Sequence, residues 1–83
     1  MDTRIARTPR QLGAVIRRER RKLGLTQAEL GERVNMRQAT ISALESGESD
    51  TRLSTLLVVL AVLDLEMAIR ERSRSTDRLE DLF

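Results

Sequence analysis

A chain of 83 residues, 40% of them hydrophobic, is one small domain whose single core contributes only a few kcal/mol of net stability, so association with a second copy is expected on size alone. It has no cysteine and no histidine, which excludes a disulfide framework, a zinc-finger cluster and the usual nucleophile and base pairs of hydrolytic enzymes. The net charge of +2 hides an asymmetry: residues 1–42 carry ten Arg/Lys against four Asp/Glu, residues 43–83 five against nine, and fourteen of the fifteen basic residues are arginine, which grips phosphate or guanine with paired hydrogen bonds.

Residues 1–7, MDTRIAR, lack periodicity and read as a flexible basic arm. Thr8, with Pro9 next and Gln11 three residues on, is a helix start, because the hydroxyl caps a free amide, proline tolerates the first turn and glutamine reaches back. Leu12, Val15, Ile16 and Leu23 then share one face of a helix ending near Leu23 and Gly24, while Arg17, Arg18, Arg21 and Lys22 point elsewhere. The capping box Thr26-Gln27-Ala28-Glu29 opens a second helix that buries Leu30 and Val34 and stops at Asn35, a residue that tolerates a left-handed turn. A third helix runs from about Arg37 to Ser46, buries Ile41 and Leu44, and ends at Gly47.

After Glu48, Ser49 and Asp50, residues 53–63 are apolar nearly all round. One face of such a helix is bare in a monomer, so a second subunit is expected to cover it, with Leu60 and Leu63 assigned to the contact. Leu65, Met67 and Ile69 alternate with Glu66, Ala68 and Arg70, which is the pattern of a half-buried strand over residues 65–72, although a frayed continuation of the helix fits too. A lone strand has to pair, and its twin in a homodimer is the economical partner. Residues 73–83 are charged and read as a disordered tail. Its end, Leu82 and Phe83, is either accidental or a hook for a partner. The longest apolar run, residues 56–63, is about half of a membrane span, and the first residues lack the apolar core of a signal peptide, so a cytoplasmic protein without membrane contact is expected. No metal, cofactor, nucleotide or small-molecule signature is present, and the scattered Asp, Glu, Ser and Lys do not assemble into an enzyme site.

The stretch 23–47, LGLTQAELGERVNMRQATISALESG, meets the demands of a helix-turn-helix, in which a tight turn and close helix packing set the second helix into the major groove. Gly31 is small where the helices touch, Asn35 sits in the turn, and Val34, Ile41 and Leu44 form the shared core. The string LGLTQAEL and the later pattern at Gln38, Ile41, Leu44, Glu45 and Gly47 resemble the Cro/C1-type, or XRE-family, repressors over residues 12–63. Within that family the chain looks most like HipB-type antitoxins, which share QATIS at residues 38–42, a strand after the last helix and a short tail with an aromatic end. The resemblance implies an all-α, lambda-repressor-like fold of about four helices with one C-terminal β-strand pairing across a dimer. It also implies autorepression from a palindromic operator in double-stranded DNA, a HipA-type kinase toxin as partner, and a structural ion pair between Arg20 and Glu45.

Residue chemistry supplies the roles at the DNA. Gln38 suits adenine through both halves of its amide, and Arg37 suits guanine or phosphate. Ala39 and Ala43 are small enough for close approach or a thymine methyl, while Thr40 and Ser42 are candidates for bases or phosphate, with ordinary helix surface the competing reading for Thr40 and Ala43. Gln27 starts the second helix, whose amides and positive dipole end suit a phosphate, and the corresponding position of the resembling repressors grips the backbone. Arg4 and Arg7 are either minor-groove contacts or part of a solvated arm. Two positions depart from HipB-type sequences: Ala28 lacks a hydroxyl for phosphate, and Phe83 stands where the tail has tryptophan. The alternatives are a stand-alone or phage-type regulator and, from a different class, a protein-interaction adaptor without specific DNA binding.

Overall fold

The computed structural model describes residues 3–48 and 50–72, and in it the helix ends follow local stop and start signals. Helix α1 (Pro9–Lys22) begins where the extended Thr8 accepts the Gln11 amide on its hydroxyl at 3.1 Å, and Gln11 Oε1 accepts the Arg7 amide at 2.7 Å. Its last turn carries Arg20, Arg21 and Lys22, where positive charge suits the dipole. Leu23, expected on the buried stripe, is half exposed, because the helix stops at Lys22 and the left-handed Gly24 redirects the chain. Leu25 is buried in its place.

Helix α2 (Gln27–Val34) opens on a reciprocal capping box, with Thr26 Oγ1 accepting from the Glu29 amide and Glu29 Oε1 accepting from the Thr26 amide, both at 3.0 Å. The bond from the Thr26 backbone, helped by the Thr26 hydroxyl and the charge of Arg33, holds the Glu29 carboxyl below the usual carboxylate range. Asn35 ends the helix at φ 57°, ψ 47°. Helix α3 (Gln38–Ser46) starts one residue later than the pattern suggests, with Arg37 extended at the cap position, and finishes at Gly47, φ 75°. A β-carbon at Gly47 would lie 2.7 Å from the backbone of Arg10, so glycine serves both the turn and the approach of α1.

Helix α3 packs against α1 and α2, and helix α4 (Leu53–Val62) rests on α2. The core between them is Ile16, Leu30, Val34, Ile41, Leu44, Val59, Leu60 and Leu63. Full burial of Ile16, Leu30, Ile41 and Val59 is worth about 1.5–3 kcal/mol each, the source of stability for helices too short to persist alone.

The assignment of Leu60 and Leu63 to a dimer contact is corrected here, since both lie in the core of the subunit at 5% and 3% exposure. The face that α4 leaves bare carries Leu53, Leu57 and Val58 instead. Among the described residues no strand is formed, so the strand expected over residues 65–72 is absent from the single chain. Asp64 turns left-handed at φ 59° and the Leu65 amide donates to the Leu60 carbonyl at 2.8 Å, which closes α4 and rules out its continuation. Beyond that turn a strand needs a neighbour to ladder with, and the described residues of one chain supply none. Leu65 is half-buried, Met67 is exposed and Ile69 is almost wholly exposed at 96%. Residues 73–83, including Leu82 and Phe83, lie outside the described residues. No helix among those described is long and apolar enough to cross a membrane.

Candidate nucleic-acid interface

The turn between α2 and α3 is three residues, Asn35, Met36 and Arg37, and its tightness has a visible cause. The Met36 amide donates to the Gly31 carbonyl at 2.8 Å, and a β-carbon on Gly31 would sit 2.6 Å from the Met36 carbonyl oxygen. Only glycine lets the chain fold back this closely, and the partly buried Met36 side chain pins the turn to the core. The exposed side of α3 is thereby offered as one surface.

Gln38, Ala39, Thr40 and Ser42 are exposed on it and Ala43 is half-buried, with the exposed Arg37 at its leading edge. No side chain caps α3, so its first amides and the positive end of its dipole face the same way as Gln38. Ala28, in the first turn of α2, is exposed as well. Arg4 is exposed, whereas Arg7 is half-buried and tied to α1 through its amide.

A groove of about 430 Å³ runs beside this exposed face, lined by Ala39, Thr40 and Ala43 on one wall and Asp50, Thr51, Arg52 and Thr55 on the other. The second wall was not among the sequence candidates. Its signal is the polar run Thr51-Arg52 followed by Ser54-Thr55 at the start of an otherwise apolar helix, where Arg52 occupies the cap position without a side-chain capping bond.

Behind the surface lies a charged network. Arg20 and Glu45 are both 7% exposed and meet through two bonds, Arg20 Nε to Glu45 Oε2 at 2.6 Å and a terminal guanidinium nitrogen to Oε1 at 3.0 Å. The other terminal nitrogen donates to the Leu25 carbonyl at 2.6 Å. The hydrogen bonds to Glu45 raise the Arg20 pKa further, burial opposes them and the carboxylate charge adds to the rise, so the guanidinium stays charged throughout the working pH range. Gln27, half-buried at the start of α2, joins the network by donating from Nε2 to Glu45 Oε1 at 3.2 Å.

Arg10, Arg17, Arg18, Arg21 and Lys22 line a second cleft of about 800 Å³, bordering the network at Glu45 and continuing along Ser46 and Glu48. It opens at the C-terminal end of α3, the end opposite Gln38, and Lys22 is paired with Glu19 at 3.5 Å. Among the described residues no group of His, Cys, Asp and Glu could hold a metal ion.

The helix-turn-helix family matches residues 16–69. Antitoxin HipB of Escherichia coli (strain K12) is 36% identical over 62 residues, which is 75% of this chain and 70% of that protein. A solved HipB-O4 20mer complex has a chain 32% identical, superposing with a TM-score of 0.75 over 87% of this chain and 100% of its own. A solved HipA-HipB-O2-O3 complex gives 32% identity and a TM-score of 0.74 over the same shares.

Proposed function

The chain belongs to the helix-turn-helix family, XRE type, and is similar to HipB-type antitoxins, and from that premise we propose that it is a dimeric, sequence-specific DNA-binding repressor, the antitoxin of a HipAB-type pair. The observation that carries this reading is the exposed face of α3, which presents Gln38 and its neighbours on a fold that superposes, over 87% of the chain, on a chain of a solved HipA-HipB-O2-O3 complex. Two copies related by a dyad would set their recognition helices into successive major grooves, with half-sites about 34 Å apart. Binding there occludes the promoter of the chain's own operon, and a kinase-like toxin is the protein partner. The work is binding, not catalysis, and it takes place on DNA in the cytoplasm.

The reading assigns Gln38 and Arg37 to bases, Ala39, Thr40, Ser42 and Ala43 to close approach along the groove, and Gln27 to a phosphate. Gln38→Ala should lower affinity for the selected operator by roughly 1–3 kcal/mol and leave binding to random duplex nearly unchanged, because only base edges distinguish the two. Equal losses on both duplexes would remove Gln38 from the base readers. Footprinting of the region upstream of the gene, with and without whatever protein co-purifies with the chain from its native host, tests the reading as a whole. Protection of a palindrome and recovery of a kinase-like partner are expected. A uniform, salt-sensitive affinity for every duplex would favour an adaptor instead.

The dimer is assigned to Leu53, Leu57 and Val58 of α4 together with Met67 and Ile69, all exposed in the subunit, and to Leu65 at their edge. Residues 65–72 gain in the partner the strand neighbour that the described residues of one chain do not supply. Val58→Glu should therefore leave the helical circular dichroism intact, since Val58 is 47% exposed, while weakening the dimer by at least about an order of magnitude in analytical sedimentation. An unchanged dimer would move the interface off α4.

A further inference from the structure

We propose that the buried Arg20–Glu45 pair is a positioning device for DNA binding, fixing the Gln27 amide so that it shows an N–H, and not its carbonyl, to a backbone phosphate. The inference rests on the reading of Gln27 as a phosphate contact.

An ionised carboxylate only accepts hydrogen bonds, so the Gln27 atom lying 3.2 Å from Glu45 Oε1 has to be the nitrogen. That bond uses one of its two N–H groups. The second is left over, and a phosphate oxygen, which also only accepts, takes an atom of this kind. Without Glu45 the terminal amide turns through half a revolution at little cost and presents its carbonyl oxygen to the phosphate for much of the time, which repels it.

A bare carboxylate this close to a phosphate would itself be repulsive, and Arg20 removes the objection. Its guanidinium holds both Glu45 oxygens, at 2.6 and 3.0 Å, and offsets the charge. Its remaining nitrogen, on the Leu25 carbonyl at 2.6 Å, fastens the turn immediately before the Thr26 cap. One side chain on α1 thus fixes the start of α2, which carries Gln27, against α3, which carries Gln38. Arg20 and Glu45 set the distance between anchor and reader without touching DNA.

The test separates positioning from stability. Removing one member of a buried pair unfolds proteins, whereas replacing both with apolar groups of similar volume is often neutral. The full chain is compared as the native form, Gln27→Ala, the double replacement Arg20→Met with Glu45→Met, and the triple combination. Each is titrated with the duplex recovered by selection from a random-sequence pool, at several salt concentrations, and each is melted thermally. Gln27→Ala should lower affinity about tenfold, the loss of one hydrogen bond to a charged group. The double variant should melt near the native temperature and show the same loss, and the triple variant should lose nothing more. A stable double variant that binds as the native chain does overturns the proposal while leaving Gln27 on the phosphate. Native binding by Gln27→Ala overturns the phosphate contact and the proposal with it. If the double variant fails to fold, the side-chain amide of Gln27 in the native chain decides by NMR: one Nε2 proton should move on adding the duplex while its partner, held by Glu45, stays. Movement of both together overturns the proposal.

Discussion

Gly13→Ala should destabilise the fold by about 3 kcal/mol and lower the melting temperature on the order of 15 °C, although it adds one methyl group. Gly13 is where α1 crosses α3, and a β-carbon there would meet the Glu45 carbonyl oxygen and lie 2.6 Å from both the Leu44 carbonyl oxygen and the Glu45 carbonyl carbon. These are backbone atoms of a helix, with no rotamer to change. The only relief is to push α1 away from α3, and that also stretches the bonds from Arg20 to Glu45, so stability and operator binding should fall together. Alanine ordinarily favours a helix over glycine by about 1 kcal/mol, which makes the expected sign a strict test. A variant that melts at or above the native temperature would show that the two helices do not cross this closely.

Glu45→Ala should cost about 3–5 kcal/mol, a large part of the total for a domain of this size, and leave the chain mostly unfolded at growth temperature. The loss comes less from the missing attraction than from the guanidinium left behind. Arg20 would keep a single protein acceptor, the Leu25 carbonyl, in a site with little access to water. It cannot relieve this by losing its proton. A pKa raised in the folded state contributes stability that is fully present below the unfolded value and is lost only as pH rises through the folded one, and for an arginine both lie beyond working pH. The destabilisation should therefore be flat from pH 6 to 9, and urea titration of the variant well below growth temperature, where a folded baseline remains, checks it across that range. A variant within 1 kcal/mol of the native chain would mean that water reaches the pair.

What the sequence made legible was local. Thr8, Thr26, Asn35 and Gly47 end or begin helices through bonds and dihedral angles set within a few residues, and all four do so in the fold. Leu23 misled because a residue at the very end of an apolar stripe belongs to whichever side the next turn chooses. Residues 53–63 misled for a related reason. A helix apolar all round has no face that declares itself, so the division into Leu60 and Leu63 inside, Leu57 and Val58 outside, is decided by α2 and not by α4. The alternation after Asp64 states a preference that only a neighbouring strand can satisfy. At the candidate interface, the shared exposed face of Gln38 and its neighbours was readable from one helix, but Arg52 and Thr55 join them only across a loop. The bond from Gln27 to Glu45 spans eighteen residues and two helices, a separation that no periodicity reveals.

The bare face of α4 has a consequence for timing and dose. If the chain binds its operator only as a pair, occupancy well below the dimerisation constant follows the square of the chain's concentration, so halving the amount of protein cuts the active species about fourfold. Dilution by growth, or removal of part of the pool, would then lift repression abruptly. The switch would owe its steepness to Leu57, Val58 and their neighbours on α4, outside the helix assigned to the bases.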